Sequence, residues 1–265
     1  MGSEMCIRDR IIPDRNDIER TLKLAEEYGA VFEYNDFMVP PQTEDADKRR
    51  ETVAFYRSLG RDLSQDTLHG AFLDITVHSQ DPWIRRVSRK RIYQSMETAE
   101  ELGVRGVVFH TGLLRDYREE SYLENWLETN AAFWEKVLED FPGREIYLEN
   151  MFEADGECLA RLGRRMASFG RFGICLDYAH AAAFGNAEEL AGWVEQTAPY
   201  IRHMHINDNN LKDDLHLPVG RGRIDWQQFR NLVEKYQVNA SVLLEVKGFE
   251  AQKESLEYIR KNHIL

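Results

Sequence analysis

Cysteine is scarce: three among 265 residues (Cys6, Cys158 and Cys175), far apart and with no CxxC pair. An odd number without regular spacing excludes a disulfide framework and fits a chain kept in a reducing cytosol. No apolar run approaches the roughly 20 residues that cross a bilayer, so no membrane partner is expected. The opening "MGSEMCIRDR" lacks the apolar stretch of a secretory signal. These absences together point to the cytoplasm. Basic charge is short as well: 34 Lys and Arg stand against 46 Asp and Glu, a net charge of −12. That disfavours a protein gripping nucleic acid by broad phosphate neutralisation, although a local basic channel on an acidic body stays open. One candidate is "WIRRVSRKR", with Arg85, Arg86, Arg89, Lys90 and Arg91. On a helix the first four share one side, and the ordinary reading is a solvated outer face. There is no low-complexity linker, no break in composition and no short-period repeat.

What is present is an apolar fraction of 43%, enough for a substantial core. Short strand-like runs fall at 31–35, 67–72, 106–110, 145–149, 172–177, 201–206 and 241–246. Helical patterns alternate with them, at about 16–28, 45–59, 83–102, 121–139, 155–168, 187–198, 225–235 and 250–261. Gly103, Gly143 and Gly173 sit where caps or tight turns are needed, and Asp225 suits an N-cap. Strict alternation, with strands buried on both faces, predicts a parallel sheet covered by helices. Seven clear strands and eight helices predict an α/β protein with a single closed (β/α)₈ barrel. Strand one must precede residue 16, where only "MCIRDRII" is available. Arg8, Asp9 and Arg10 suit a buried strand poorly. Residues 1–15 therefore read as an atypical N-terminus, a cloning or sequencing scar followed by an irregular first strand. Residues 16–265 read as the barrel.

Ligand-type residues gather at the strand ends. His69 lies near the end of the third strand, His110 ends the fourth, Glu149 the fifth and Asp177 the sixth. His205 and Glu245 lie near the ends of the last two. Just beyond are His180 and, within "HMHINDNNLKDDLH" (203–216), Asp214 and His216. Asp214-x-His216 in an extended segment would place both side chains on one side. A barrel brings all these ends to one face, where barrel enzymes build their sites. Five of the eight histidines fall at this rim. Glu149, Asp177 and Glu245 follow apolar strands, and buried charges there need partners or a metal. His203 shares a face with His205 but lies deeper, as a core or supporting residue. His78 and His263 read as ordinary.

These residues also carry a resemblance. "HGAFLDI" (69–75), "VVFHTG" (107–112), "IYLEN" (146–150), "GICLDYAH" (173–180), "HINDNN" (205–210), "DLHLPVGRGRIDW" (214–226) and "LLEV" (243–246) resemble the xylose-isomerase-like TIM-barrel superfamily. That superfamily includes sugar-phosphate isomerases and epimerases, inosose dehydratases and abasic-site nucleases of the endonuclease IV class. The resemblance implies that Glu149, Asp177, His205 and Glu245 form a one-ion site of the epimerase type. It implies that His69, His110, His180, Asp214 and His216 match the further ligands of the nuclease branch, where Glu149 bridges two of three zinc ions. The mixed donor set suits Zn²⁺ or Mn²⁺ better than Ca²⁺, with Mg²⁺ or Co²⁺ admitted and one to three ions expected.

Two reactions follow. The leading expectation is isomerisation or epimerisation of a sugar or sugar phosphate, with proton transfer beside a metal-bound carbonyl. Glu149 and Glu245 would be the catalytic acid/base pair. Arg221 and Arg223 of "GRGRID", and Lys247, are candidate substrate-binding residues. The alternative is a multi-zinc phosphoester hydrolase of the endonuclease IV type. All nine ligand positions are filled, although the resemblance implies that many isomerase-like relatives also keep the extra histidines, and Phe72 stands where nuclease relatives carry an aromatic that meets DNA. Against it stand the −12 charge, the short loops, and "DYAH" in place of the hydroxyl residue and cysteine usual in the nucleases. A non-catalytic sugar-binding barrel would be expected to have lost a ligand, and none is lost.

Overall fold

The computed structural model describes residues 9–114 and 117–265. Eight strands form a closed barrel in sequence order: β1 Asp9–Ile11, β2 Val31–Tyr34, β3 Thr67–His69, β4 Gly106–His110, β5 Glu145–Glu149, β6 Phe172–Asp177, β7 Ile201–Ile206 and β8 Ser241–Leu244. Every neighbouring pair is parallel. The outer helices are α1 Ile18–Tyr28, α2 Pro40–Thr43, α3 Ala46–Ser58, α4 Pro82–Leu102, α5 Glu120–Asp140, α6 Glu157–Arg165, α7 Tyr178–Phe184, α8 Leu190–Thr197, α9 Trp226–Lys235 and α10 Phe249–Asn262. Helices α2 and α7 are too short to leave a periodic signature in the sequence.

The first strand does form, at Asp9–Ile11, and closes the barrel against both Val31–Phe32 and Val242–Leu244. It is only three residues long, in keeping with its charged sequence. Arg10 is buried there, and its guanidinium donates to the Gln65 carbonyl at 3.0 Å. The scar reading and Cys6 fall on residues 1–8, outside the described residues. Gly103 caps α4 in the left-handed region, φ 83°, as its position predicts. Gly173 instead lies inside β6, where a Cβ would collide with the Arg202 side chain.

Strand alternation divides the side chains between two environments. Leu68, Val107, Phe109, Ile146, Leu148, Ile174, Leu176, Met204, Ile206 and Leu244 point outward into the main core against the helices. Their alternates fill the barrel interior. There, among the described residues, Val108, Tyr147 and Cys175 form a small apolar cluster. Above it stand His69, His110, Glu149, Asp177 and His205, and beside it Glu33, Thr67 and His203. The interior is thus mainly polar, and its polar layers lie toward the C-terminal ends of the strands. The basic segment of α4 lies outside: Arg86, Arg89 and Lys90 are exposed, and Lys90 pairs with Glu44 at 3.0 Å. It is the solvated helix face that the sequence suggests. No helix among the described residues is long and apolar enough to cross a membrane.

Candidate metal centre

All nine residues expected as ligands meet at this face. They fall into three groups whose donor atoms lie within 4.8 Å of one another: His69, His110 and Glu149; His180, Asp214 and His216; and Glu149, Asp177, His205 and Glu245. Glu149 belongs to two of them. Its Oε2 lies 3.0 Å from His110 Nε2 and 3.4 Å from His69 Nε2, and its Oε1 lies 3.0 Å from His205 Nδ1. His205 Nδ1 is also 3.4 Å from Glu245 Oε2. Asp214 Oδ2 is 2.9 Å from His216 Nε2 and 3.4 Å from His180 Nε2.

Three of the imidazoles are braced from behind. His69 Nδ1 donates to the Gly70 carbonyl at 3.1 Å, His180 Nδ1 to that of Asn150 at 2.9 Å, and His216 Nδ1 to that of Glu245 at 2.8 Å. In each ring the carbonyl engages Nδ1–H and leaves Nε2 facing the centre as the nitrogen that would bind a metal. Asp177 caps α7 by accepting from the His180 amide at 2.6 Å. Asn150 extends the β5–β6 ladder with its side chain, accepting from Asp177 N and donating to Asp177 O, both at 2.9 Å.

The donor set fits a cation. Both oxygens of Glu149, Asp177 Oδ2, Asp214 Oδ1, Glu245 Oε2 and His205 Nδ1 are buried without a hydrogen-bond partner. Buried acceptors facing one another need something positive between them. Burial, against the pull of His180 and together with the charges of Glu245 and Glu149, pushes the Asp177 carboxyl up to about 7. Burial opposes ionisation of Glu149, Glu245 and Asp214 too, but the histidines beside them hold all three below the ordinary carboxylate value. A fourth grouping, Cys175, His203 and His205, also has donors within reach. There, however, hydrogen bonds to Glu33 and Ser241 engage both nitrogens of His203.

The loop carrying Asp214 and His216 differs from its expected geometry. It is not extended, because His216 takes φ 46°, in the left-handed region that non-glycine residues rarely adopt. The two side chains meet through this turn rather than by strand alternation. Asp208 anchors the loop. Its carboxylate accepts from Asn209 N, Gly220 N and Trp226 Nε1 at 2.9 Å each and from Ile224 N at 3.2 Å. Gly222 passes so close that a Cβ would strike the Asp208 carboxylate and the Asn209 backbone.

The other candidates are placed as follows. Phe72 stacks edge-on against His110, ring centroids 4.9 Å apart, and so backs a ligand. Arg221 pairs with Glu254 of α10. Arg223 is exposed, its amide held by the Asn209 carbonyl. Lys247 is exposed and lines a cleft of about 600 Å³ with Arg15, Asn35, Asp36 and Phe55, two residues beyond Glu245. Sequence reasoning misses Asn150, Asp208 and Glu33. A charge at the centre of the apolar run "VFEYN" is the available signal for Glu33.

These surroundings set a pH dependence. Burial opposes ionisation of His216, but the Asp214 bond and the Glu245 charge raise its pKa to about 9. Burial likewise opposes His180, and the charges of Asp177, Asp214 and Glu149 hold it well above the ordinary histidine value. The sign follows for the cation-free chain. His216 contributes stability in full below the unfolded value of 6.5 and loses it as pH rises through about 9. A metal ion must displace these protons, since ligating imidazoles are neutral. Metal affinity is expected to climb from roughly pH 6 to 9, with protons released on binding, and occupancy to fall below roughly pH 5 to 6. Calorimetry in buffers of different ionisation heat reads the proton count. Zero release at about pH 6, or full occupancy at about pH 4, contradicts a histidine-rich site.

Residues 22–262 match the family model described as a xylose isomerase-like TIM barrel. A probable endonuclease 4 of Mycobacterium marinum is 28% identical over 244 residues, covering 85% of this chain and 88% of its own. A Thermus thermophilus protein soaked with ZnCl₂ superposes with a TM-score of 0.73 at 23% identity, over 96% of this chain and 97% of its own. A D-tagatose 3-epimerase-like protein superposes with a TM-score of 0.71 at 21% identity, over 96% of each chain. At these identities the two solved structures speak for the fold. With the closed barrel and the matched span together, the chain belongs to the xylose isomerase-like TIM-barrel family.

Proposed function

We propose that this chain is a divalent-metal-dependent hydrolase acting on phosphoester bonds of a sugar-sized or nucleotide-sized substrate. One observation carries the reading. The nine donors make three contiguous groups, two of them joined through Glu149, where isomerisation chemistry uses only the group of Glu149, Asp177, His205 and Glu245. Cations held there would supply Lewis acidity, activating water and neutralising charge on the attacked and departing oxygens. The chain's own residues do the rest. His69, His180 and His216 are fixed through Nδ1 and shape the pocket. Glu245, with Oε2 buried and unpartnered, would take the proton of the attacking water and return it to the departing oxygen as its P–O bond breaks. Lys247, two residues beyond Glu245, would steady the far end of the substrate from the cleft of about 600 Å³ that it lines. The likeness to a probable endonuclease 4 supports this bond class, while the −12 charge argues against broad grip on a duplex.

Sugar isomerisation is the second reading. It draws on Glu149 and Glu245, which flank His205 Nδ1 at 3.0 and 3.4 Å as an acid/base pair would flank a one-ion site. Metal analysis with paired assays separates the two. Zinc loading is expected to give three ions per chain and hydrolysis of bis(p-nitrophenyl) phosphate that chelation abolishes. A single exchangeable Mn²⁺, with ketose epimerisation and no phosphoester cleavage, overturns the proposal. Incision of abasic duplex DNA at low salt would enlarge the substrate without changing the bond class.

A further inference from the structure

We infer that Glu33, a residue of β2 outside the nine donors, is a positioning residue that turns His205 so that Nδ1 faces the metal centre. The inference rests on the metal-centre reading above. Glu33 is fully buried inside the barrel, one layer below the ligands. Its Oε2 accepts from Thr67 Oγ1 at 2.6 Å and from His203 Nε2 at 3.0 Å. Its Oε1 lies 3.1 Å from His205 Nε2.

A carboxylate only accepts, so the nitrogen of His205 that faces Glu33 carries the proton. Nδ1 also faces carboxylates, 3.0 Å from Glu149 Oε1 and 3.4 Å from Glu245 Oε2, so in the cation-free chain it too carries a proton. A bound cation would displace that one and leave the proton toward Glu33 in place. His69, His180 and His216 do the reverse. Each ties Nδ1 to a main-chain carbonyl and offers Nε2. His205 approaches from deeper in the barrel, and a charged side chain stands behind its outer nitrogen where the others have a carbonyl. His203 completes the support. It donates from Nε2 to Glu33 and accepts at Nδ1 from Ser241 Oγ, 2.8 Å away, so the second imidazole fixes the carboxylate's orientation. A carboxylate behind a ligating imidazole raises the ligand's basicity and sets its tautomer.

A purely structural reading gives Glu33 the task of balancing the buried Arg10 nearby. Two measurements distinguish them, both on the full chain. The first is nitrogen-15 NMR of zinc-loaded wild-type protein, which reports which His205 nitrogen binds the ion. Nδ1 bound with a proton on Nε2 is expected, and Nε2 bound overturns the inference. The second is zinc affinity by chelator competition. Glu33→Gln puts a donor where an acceptor is needed and is expected to weaken one zinc site by roughly 10- to 100-fold. Thr67→Val removes a bond to the same carboxylate without touching His205, and should leave affinity near wild type. Wild-type affinity in Glu33→Gln, or an equal loss in Thr67→Val, overturns the assignment. Zinc content of the wild type tells the failures apart. A chain that takes up no zinc sinks the metal-centre reading and this inference together, whereas the other adverse results sink this one alone.

Discussion

Replacing Glu149 with glutamine is expected to lower kcat/KM by about 10³-fold or more, equivalent to roughly 4 kcal/mol of transition-state stabilisation. The same change should remove at least one ion per chain. Glu149 is the one donor common to two groups of ligands, with one oxygen toward His69 and His110 and the other toward His205. An amide keeps the volume but replaces one buried acceptor with a donor and removes the charge. The histidines on that side then face N–H rather than a carboxylate oxygen. Folding suffers as well. Burial opposes the Glu149 charge, but His205 and His110 hold its carboxyl well below the ordinary value, so the ionised form stabilises the cation-free chain at neutral pH and the amide loses that contribution. The expected signature is therefore twofold: a lower melting temperature without metal, and a much smaller gain on adding zinc. Thermal melts with and without chelator, beside metal analysis, check it. Full metal content with full activity in Glu149→Gln would dissolve the idea of a bridging carboxylate.

Much of this site is readable in the sequence because a barrel converts position along the chain into position in space. A polar residue closing an apolar strand lands at one rim whichever strand it closes. His69, His110, Glu149 and Asp177 follow that rule directly, and His205 stands one residue before its strand ends. Residues placed by local backbone choices are harder to read. His216 meets Asp214 through a left-handed turn, not through extended alternation. Arg221 reads as a substrate group within its glycine-rich segment, yet its charge is turned to Glu254 on a neighbouring helix. Glu33 escapes because its partners His203 and His205 lie about 170 residues away, and only closure of the barrel brings β2 beside β7's inward side chains. The first strand looks unfavourable for its arginine, yet it forms because the inside of this barrel is polar enough to receive one.

The largest effect on stability is expected at Asp208, which holds no ligand role. Asp208→Asn keeps the shape of the side chain but turns one acceptor into a donor. Four donors converge on that carboxylate: three backbone amides and the Trp226 indole. Asp208, Asn209, Ile224 and Trp226 are buried, so their donors, unlike that of exposed Gly220, have no water to fall back on. Each unsatisfied buried donor costs about 1 to 3 kcal/mol, so the substitution should cost roughly 3 to 5 kcal/mol in all. For a chain of this size that is a fall in Tm on the order of 10 °C. The close passage of Gly222 blocks relief, because the loop already sits against the carboxylate. Function should fail selectively. The anchored loop carries Asp214 and His216, so the group of His180, Asp214 and His216 loses its ion first, while the group around Asp177 and Glu245 keeps its own. Titrating zinc into Asp208→Asn below its melting temperature should show one site lost or weakened. A variant that melts like wild type and binds the wild-type number of ions would show that the loop is held by something other than Asp208.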